Sequence, residues 1–87
     1  MTDNKRIEII MAAGSTKYEA EKHLKNGTII YEYDDYINNA SGYMYGLEEE
    51  DQKKLLEAIK NKEPNITKYD HSVVNYENKW YVIEYAL

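Results

Sequence analysis

The residues best suited to chemistry lie together at one point of the sequence, where His71 stands between Asp70 and Ser72. These residue types make up the triad of serine hydrolases, but a triad is defined by convergence in space and not by adjacency along the chain. In an extended segment, neighbouring side chains point to opposite faces, so we predict that the three groups do not converge. We interpret them as the polar approach to a strand.

The remaining residues show no pattern that is typical of a metal or cofactor site. The second histidine, His23, is distant from His71 along the chain, and the absence of cysteine removes thiolate ligands and cysteine nucleophiles. The acidic groups lack the alternating ligands and the glycine of a calcium loop. A glycosidase carboxylate pair needs a deep cleft, which a chain of 87 residues hardly supplies. We therefore predict no catalytic residue, no metal site and no cofactor, and we expect a protein that is not an enzyme.

Tyrosine and acidic residues dominate the middle of the chain. The sequence has ten tyrosines, one tryptophan and no phenylalanine. A small core cannot supply buried hydrogen-bond partners for so many phenols, so several are expected at the surface, where tyrosine is a favoured contact residue. We predict a partner-binding surface formed by Tyr31, Glu32, Tyr33, Asp34, Asp35, Tyr36, Tyr43, Tyr45, Glu48, Glu49, Glu50 and Asp51.

Two interpretations of this segment stay open. Carboxylates set among aromatic rings can imitate a phosphate backbone with its bases, so the surface could occupy a basic groove built for nucleic acid. Alternatively, the tyrosines complete a small core, and the acids at 48–51 suit the positive end of a helix dipole. Strand alternation turns either Tyr31 and Tyr33 or Ile30 and Glu32 inward, so not every tyrosine can be exposed.

The overall charge indicates the kind of partner. Sixteen acidic residues against eleven basic ones give a formal charge of −5. Direct nucleic-acid binding works by neutralising phosphates, so this balance disfavours it, whereas an acidic surface attracts basic proteins. The chain has no cysteine and does not begin with an apolar run of signal-peptide length, so we expect a cytoplasmic protein. Residues 1–87 are expected to form a single domain.

The first half of the chain predicts a helical hairpin. Apolar residues at helical spacing indicate a helix over 4–13, which Gly14 ends. Thr16 and Glu19 form a capping box for a second helix, which stops at Asn26-Gly27. A β-branched and aromatic strand over 28–33 follows.

A third helix, capped by Asp34 or Asp35, is expected to follow the strand, and a fourth helix is expected over 48–61, before Pro64. The carboxyl end is predicted to form a β-hairpin with its turn at Glu77-Asn78. This turn places Tyr76 opposite Lys79 and Val74 opposite Tyr81. The order α-α-β-α-α-β-β predicts an α+β domain in which helices pack on a small antiparallel sheet.

The predicted hairpin has two faces, and the face with Val74, Tyr76, Tyr81, Ile83 and Tyr85 is the better core candidate. On the opposite face, Trp80 is expected to be half exposed. The side chains expected to be buried are Ile7, Ile10, Leu24, Leu55, Leu56, Ile59, Val74 and Ile83.

Two segments resemble a group of known proteins. Ile7–Glu32, which reads IEIIMAAGSTKYEAEKHLKNGTIIYE, resembles the start of small proteins of phages and mobile elements of Gram-positive (Firmicutes) bacteria. Glu77–Tyr85, which reads ENKWYVIEY, is similar to their terminal hairpin. The resemblance does not extend to residues 33–70 and supplies no catalytic residue. It implies a genomic setting in which anti-defence proteins, including anti-CRISPR inhibitors, are common.

Two functions from different classes follow from these observations. The first is a phage or mobile-element accessory protein that binds a host protein stoichiometrically and inhibits it, with anti-CRISPR activity as its most concrete form. Its partner would be a CRISPR nuclease or another basic nucleic-acid-binding protein, without direct contact to nucleic acid or membrane. The second is a small regulatory adaptor whose helical hairpin contacts DNA or a transcription protein. The sequence leaves both a monomer and a homodimer open.

Overall fold

A computed structural model describes residues Met1–Ala86 and has the predicted α+β fold. Within these residues, helices pack on a three-stranded antiparallel sheet, and a 3-10 turn over Thr67–Tyr69 precedes the second strand. No helix in this part of the chain has the length and apolar character needed to cross a membrane. The elements are α1 Asp3–Ala12, α2 Lys17–Lys25, β1 Ile29–Glu32, α3 Tyr33–Asn38, α4 Ala40–Tyr43, α5 Glu49–Lys60, β2 His71–Tyr76 and β3 Lys79–Glu84.

The helical hairpin α1–α2 forms as its capping residues predict. The Thr16 hydroxyl accepts a hydrogen bond from the Glu19 amide at 3.1 Å, and the Glu19 carboxylate accepts one from the Thr16 amide at 2.8 Å. These bonds satisfy amides that the first turn of α2 would otherwise leave unpaired. Gly14, between the helices, has a φ of +116°, a conformation that side chains with a Cβ rarely adopt.

The sheet has the order β1-β3-β2, so the last strand of the chain lies in the middle. Tyr76 pairs with Lys79 and Val74 with Tyr81, which confirms the predicted register. Glu77 and Asn78 form the two-residue turn with φ values of 51° and 64°. Positive φ at both positions matches the right-handed twist of the flanking strands.

Residues 63–66 run along the outer edge of β2. The Ile66 amide donates to the His71 carbonyl at 2.8 Å, and the His71 amide donates back to Ile66 at 3.1 Å. Further along, the Val73 amide donates to the Glu63 carbonyl at 3.2 Å. The segment therefore pairs with backbone groups of β2 that face away from β3.

Both faces of the sheet are covered, and this corrects the prediction of a one-sided core. On one face α1 and α2 pack on Val74, Tyr81 and Ile83. On the other face Val73 and Val82 are also buried, because α3, α4 and α5 cover them. Trp80 lies at the end of that second face and stays 37% exposed, which agrees with its predicted position. The second core comprises Tyr36, Ala40, Met44, Leu55, Ile59, Ile66, Val73 and Val82.

The expected core residues are confirmed for Ile10, Leu55, Ile59, Val74 and Ile83. The expectation is wrong for Ile7, Leu24 and Leu56, which are only half buried. In α1, the run Ile7-Glu8-Ile9-Ile10 contains two overlapping apolar stripes. The helix turns Ile9 and Ile10 toward the sheet, so both are buried, whereas Ile7 is half buried and Met11 is exposed.

The predicted third helix is present as two short helices. It begins at Tyr33, with Glu32 and not an aspartate at its N-cap position, and Glu32 makes no capping hydrogen bond there. Asn39 interrupts it with φ −121° and ψ 22°, outside the helical region. Asparagine is a poor helix former, and here its side-chain amide donates to the Asp35 carbonyl at 3.0 Å.

The turn of the hairpin offers a first test. Glu77 holds a left-handed conformation that costs an ordinary residue about 1 kcal/mol, whereas the pair asparagine-glycine adopts it readily. The double change Glu77→Asn with Asn78→Gly is expected to raise the free energy of unfolding by up to about 1 kcal/mol in urea titrations. Asn65→Gly, at an exposed position without positive φ, should lower it because glycine adds freedom to the unfolded chain. Equal effects of the two changes would contradict the turn assignment.

Candidate partner-binding surface

Three of the predicted contact tyrosines, Tyr31, Tyr36 and Tyr43, form one aromatic cluster. The ring centroids of Tyr31 and Tyr43 are 4.5 Å apart, and those of Tyr36 and Tyr43 are 5.4 Å apart. Tyr36 has no exposed surface, so its assignment to the partner-binding set is corrected: it is a core residue, and burial raises its pKa. Tyr31 is half buried, and burial raises its pKa to about 12. Tyr43 is the most exposed of the three rings, at 38% of its surface.

Asp35 is held in a fixed position beside Tyr43. Its carboxylate accepts hydrogen bonds of 3.0 Å from the Tyr43 hydroxyl and of 3.0 Å from the side-chain amide of Asn39. The bond to Asp35 raises the pKa of Tyr43, so the phenol keeps its proton and remains the donor. An exposed aromatic ring and an exposed carboxylate are thus preorganised next to each other.

Tyr45 is the most exposed of the large apolar residues, at 85% of its surface. It lies between α4 and α5, in a loop whose residues on either side of Tyr45 are hydrogen-bonded to Gln52. The Gln52 side-chain amide donates to the Met44 carbonyl at 3.0 Å and to the Leu47 carbonyl at 2.9 Å. The loop therefore presents the ring on a fixed backbone, which reduces the entropy lost when a partner contacts it.

The acidic residues of the predicted site differ in how they are neutralised. Glu32 pairs with Lys79 at 3.2 Å, Glu49 with Lys53 at 3.6 Å, and Glu50 with Lys54 at 3.5 Å. Asp51 accepts a hydrogen bond of 2.7 Å from the Tyr69 hydroxyl. Within residues 1–86, no cation pairs with Asp34, Asp35 or Glu48.

The predicted acidic residues lie at different positions along α5. The Tyr33 hydroxyl donates to the Lys60 carbonyl at 3.3 Å, so the start of α3 lies beside the carboxyl end of α5. Gln52, near the amino end of α5, contacts the residue that follows α4. A helix of 12 residues is about 18 Å long, so Asp34, which lines a groove with Lys62, is separated from the acids at 48–51. Asp35 instead contacts Tyr43, which directly precedes the residue that Gln52 contacts. The structure does not bring all twelve predicted residues into one surface.

We define the acidic tyrosine surface as Asp34, Asp35, Tyr43 and Tyr45, all of which are exposed. It combines two carboxylates without an intrachain cation and two accessible rings. Glu48 through Asp51 follow Tyr45 at the start of α5, where acidic residues suit the positive end of the helix dipole.

Sequence reasoning missed an aromatic groove at the other end of α3. The ammonium of Lys62 lies 4.9 Å from the ring centre of Tyr33 and 5.3 Å from that of Trp80. These residues come from three separate parts of the chain, and no local spacing signals their approach. Because an intrachain cation already covers both rings, this groove is less available to a partner than Tyr43 and Tyr45.

The segment Asp70-His71-Ser72 does not form a triad. His71 and Ser72 are consecutive residues of β2, so their side chains point to opposite faces of the sheet. Ser72 accepts a hydrogen bond of 3.0 Å from the Tyr85 hydroxyl, while His71 contacts Tyr36 and Glu84. Over the described range, no group of three His, Asp or Glu side chains is placed to hold a metal ion.

The comparisons with known proteins add no further constraint on this site. No protein-family model matches the chain, and neither a curated protein nor a solved structure matches it.

Proposed function

We propose that this protein acts by binding a basic protein partner stoichiometrically through the acidic tyrosine surface, without catalysing a reaction. The observation that supports this most is the preorganised pair formed by Tyr43 and Asp35, in which an accessible ring lies beside a carboxylate that has no intrachain cation. Tyrosine is enriched among the residues that dominate binding energy. Carboxylates speed the encounter with a basic surface and fix its orientation.

The biological form of this proposal is a phage or mobile-element protein that inhibits a host nucleic-acid-binding protein, in the manner of an anti-CRISPR inhibitor. The resemblance of Ile7–Glu32 and Glu77–Tyr85 to proteins of that setting supports the origin.

Capture from lysate of a Gram-positive host, followed by titration with the purified partner, tests the proposal. Recovery of a nuclease or another basic nucleic-acid-binding protein at a one-to-one ratio is the expected result. Duplex DNA binding by the chain itself, with an affinity that falls steeply between low and moderate salt, would instead indicate the adaptor function.

Charge reversal of the surface is the sharper test. The double change Asp34→Lys with Asp35→Lys is expected to weaken partner binding about tenfold or more at low salt and to flatten its salt dependence. The control Glu21→Lys with Glu57→Lys alters the net charge equally at exposed positions outside the surface, and it should leave most of the affinity. Circular dichroism must show both variants folded. Equal losses in the two variants would mean that net charge, and not this surface, determines binding.

A further inference from the structure

His71 occupies a buried position between the sheet and the helical layer. It is the first residue of β2 and is only 7% exposed. Its Nε2 lies 3.4 Å from the Tyr36 hydroxyl of α3 and 3.5 Å from a carboxylate oxygen of Glu84 on β3. Its Nδ1 is within hydrogen-bonding distance of the Tyr69 carbonyl oxygen. One nitrogen is therefore fixed, and the other has two partners at almost equal distances.

The chemistry of these partners determines where the protons lie. The Tyr69 carbonyl can only accept, so Nδ1 carries a proton in both charge states of the ring. When the ring is neutral, Nε2 is an acceptor and takes the hydrogen bond from the Tyr36 hydroxyl. When the ring is protonated, Nε2 becomes a donor and Glu84 is the partner that carries the opposite charge. Tyr36 then loses its acceptor.

We propose that His71 forms a pH-dependent contact between the sheet and the α3–α4 layer. In its neutral form it holds α3 to β2 through Tyr36, and in its protonated form it pairs with Glu84 across the two strands and releases the Tyr36 hydroxyl. Tyr36 is fully buried, and within residues 1–86 its hydroxyl has no hydrogen-bond partner besides His71. Protonation therefore removes the acceptor that this buried hydroxyl has in the neutral state, and we expect the contact of α3 with the sheet to loosen.

The other charged and titratable groups around His71 act on the same equilibrium. The cleft on the helical side, about 460 Å³ in volume, holds two carboxylates that favour protonation and one lysine that opposes it. That lysine, Lys68, lies 5.5 Å from the ring centre of Tyr69. In the cleft on the other side of the sheet, His23 packs against Tyr85 with ring centroids 4.9 Å apart. The facing groups are Tyr36 of α3, Tyr43 of α4, Lys68, Tyr69 and Asp70 of the preceding turn, Glu84 of β3, and His23 and Tyr85 across the sheet.

Opposite shifts of the His71 titration midpoint in two variants would identify this pH-dependent contact. Glu84→Gln removes the charge that stabilises protonated His71, so the midpoint of an NMR titration of its imidazole resonances is expected to move to lower pH. Tyr36→Phe removes the donor that stabilises neutral His71, so this midpoint should move to higher pH. In the wild type, the Tyr36 ring resonances should titrate with the same midpoint as His71.

Glu32→Gln is the matched control, because it removes a carboxylate from the same sheet at a position paired with Lys79. It should leave the midpoint of His71 unchanged. The proposal is overturned if Glu84→Gln does not move the His71 midpoint to lower pH, or if the Tyr36 resonances do not follow the His71 titration. Both of these measurements remain decisive even if Tyr36→Phe fails to fold. Shifts in the same direction for the two variants would also exclude the exchange of partners.

Discussion

Replacing Ile59 with alanine is expected to lower the free energy of unfolding by about 2–5 kcal/mol. Ile59 has no exposed surface and lies on the face of α5 that packs over Val73 and Val82. The truncation removes buried methyl groups and leaves a cavity that the surrounding sheet and helices can only partly fill. Small domains have a total stability of about 5–15 kcal/mol, so this one change removes a large share of it. Thermal and urea denaturation measure the loss.

Leu56→Ala is the matched control on the same helix. Leu56 was expected from the apolar pattern to be buried, but it lies at the margin of the core and is half exposed. Its truncation removes a similar number of carbon atoms, and we expect clearly less destabilisation because solvent already reaches the side chain. Equal losses for the two variants, or a melting temperature of Ile59→Ala within a degree or two of wild type, would contradict the orientation of α5.

Tyr45→Ala is expected to weaken partner binding about thirtyfold or more without changing stability. The ring is exposed and stands on a loop that Gln52 fixes, so its removal disturbs little inside the fold. Interface tyrosines of this kind often contribute about 2 kcal/mol or more to binding, which corresponds to a factor of about thirty in affinity. Calorimetric titration with the captured partner measures the change, and thermal denaturation verifies the fold.

Tyr18→Ala provides the comparison outside the surface. Tyr18 is 76% exposed on α2, so it matches Tyr45 in residue type and accessibility. It should leave affinity unchanged. A larger loss of affinity for Tyr18→Ala than for Tyr45→Ala would indicate that the partner contacts the helical hairpin. That result would contradict binding through the acidic tyrosine surface.

The elements that the sequence predicts well are those determined by local rules. Thr16 and Glu19 satisfy amides of their own helix, and Glu77-Asn78 sets the register of the strands on either side. In each case the interacting groups lie within a few residues, so spacing and residue type suffice. The fourth predicted helix, observed as Glu49–Lys60, likewise follows from one apolar stripe and the acids in its first turn.

The features that the sequence does not predict depend on contacts between distant parts of the chain. Tyr36, Tyr43 and Tyr45 are the same residue type in one short segment, yet Tyr36 is the member of this group that meets His71 and becomes fully buried. The second buried face of the sheet has the same origin. Val73 and Val82 are buried because α3, α4 and α5 cover them, and a strand pattern alone does not reveal what packs above it.

The segment that runs along β2 has a consequence for aggregation. Sheet edges with unpaired backbone groups are templates on which other chains can add strands. Here Glu63 and Ile66 occupy backbone groups on the outer side of β2, and the opposite edge, β1, is only four residues long. The first half of the outer edge of β2 is thus paired by the chain itself, at His71 and Val73. This disfavours the addition of a strand from another molecule at that half of the edge.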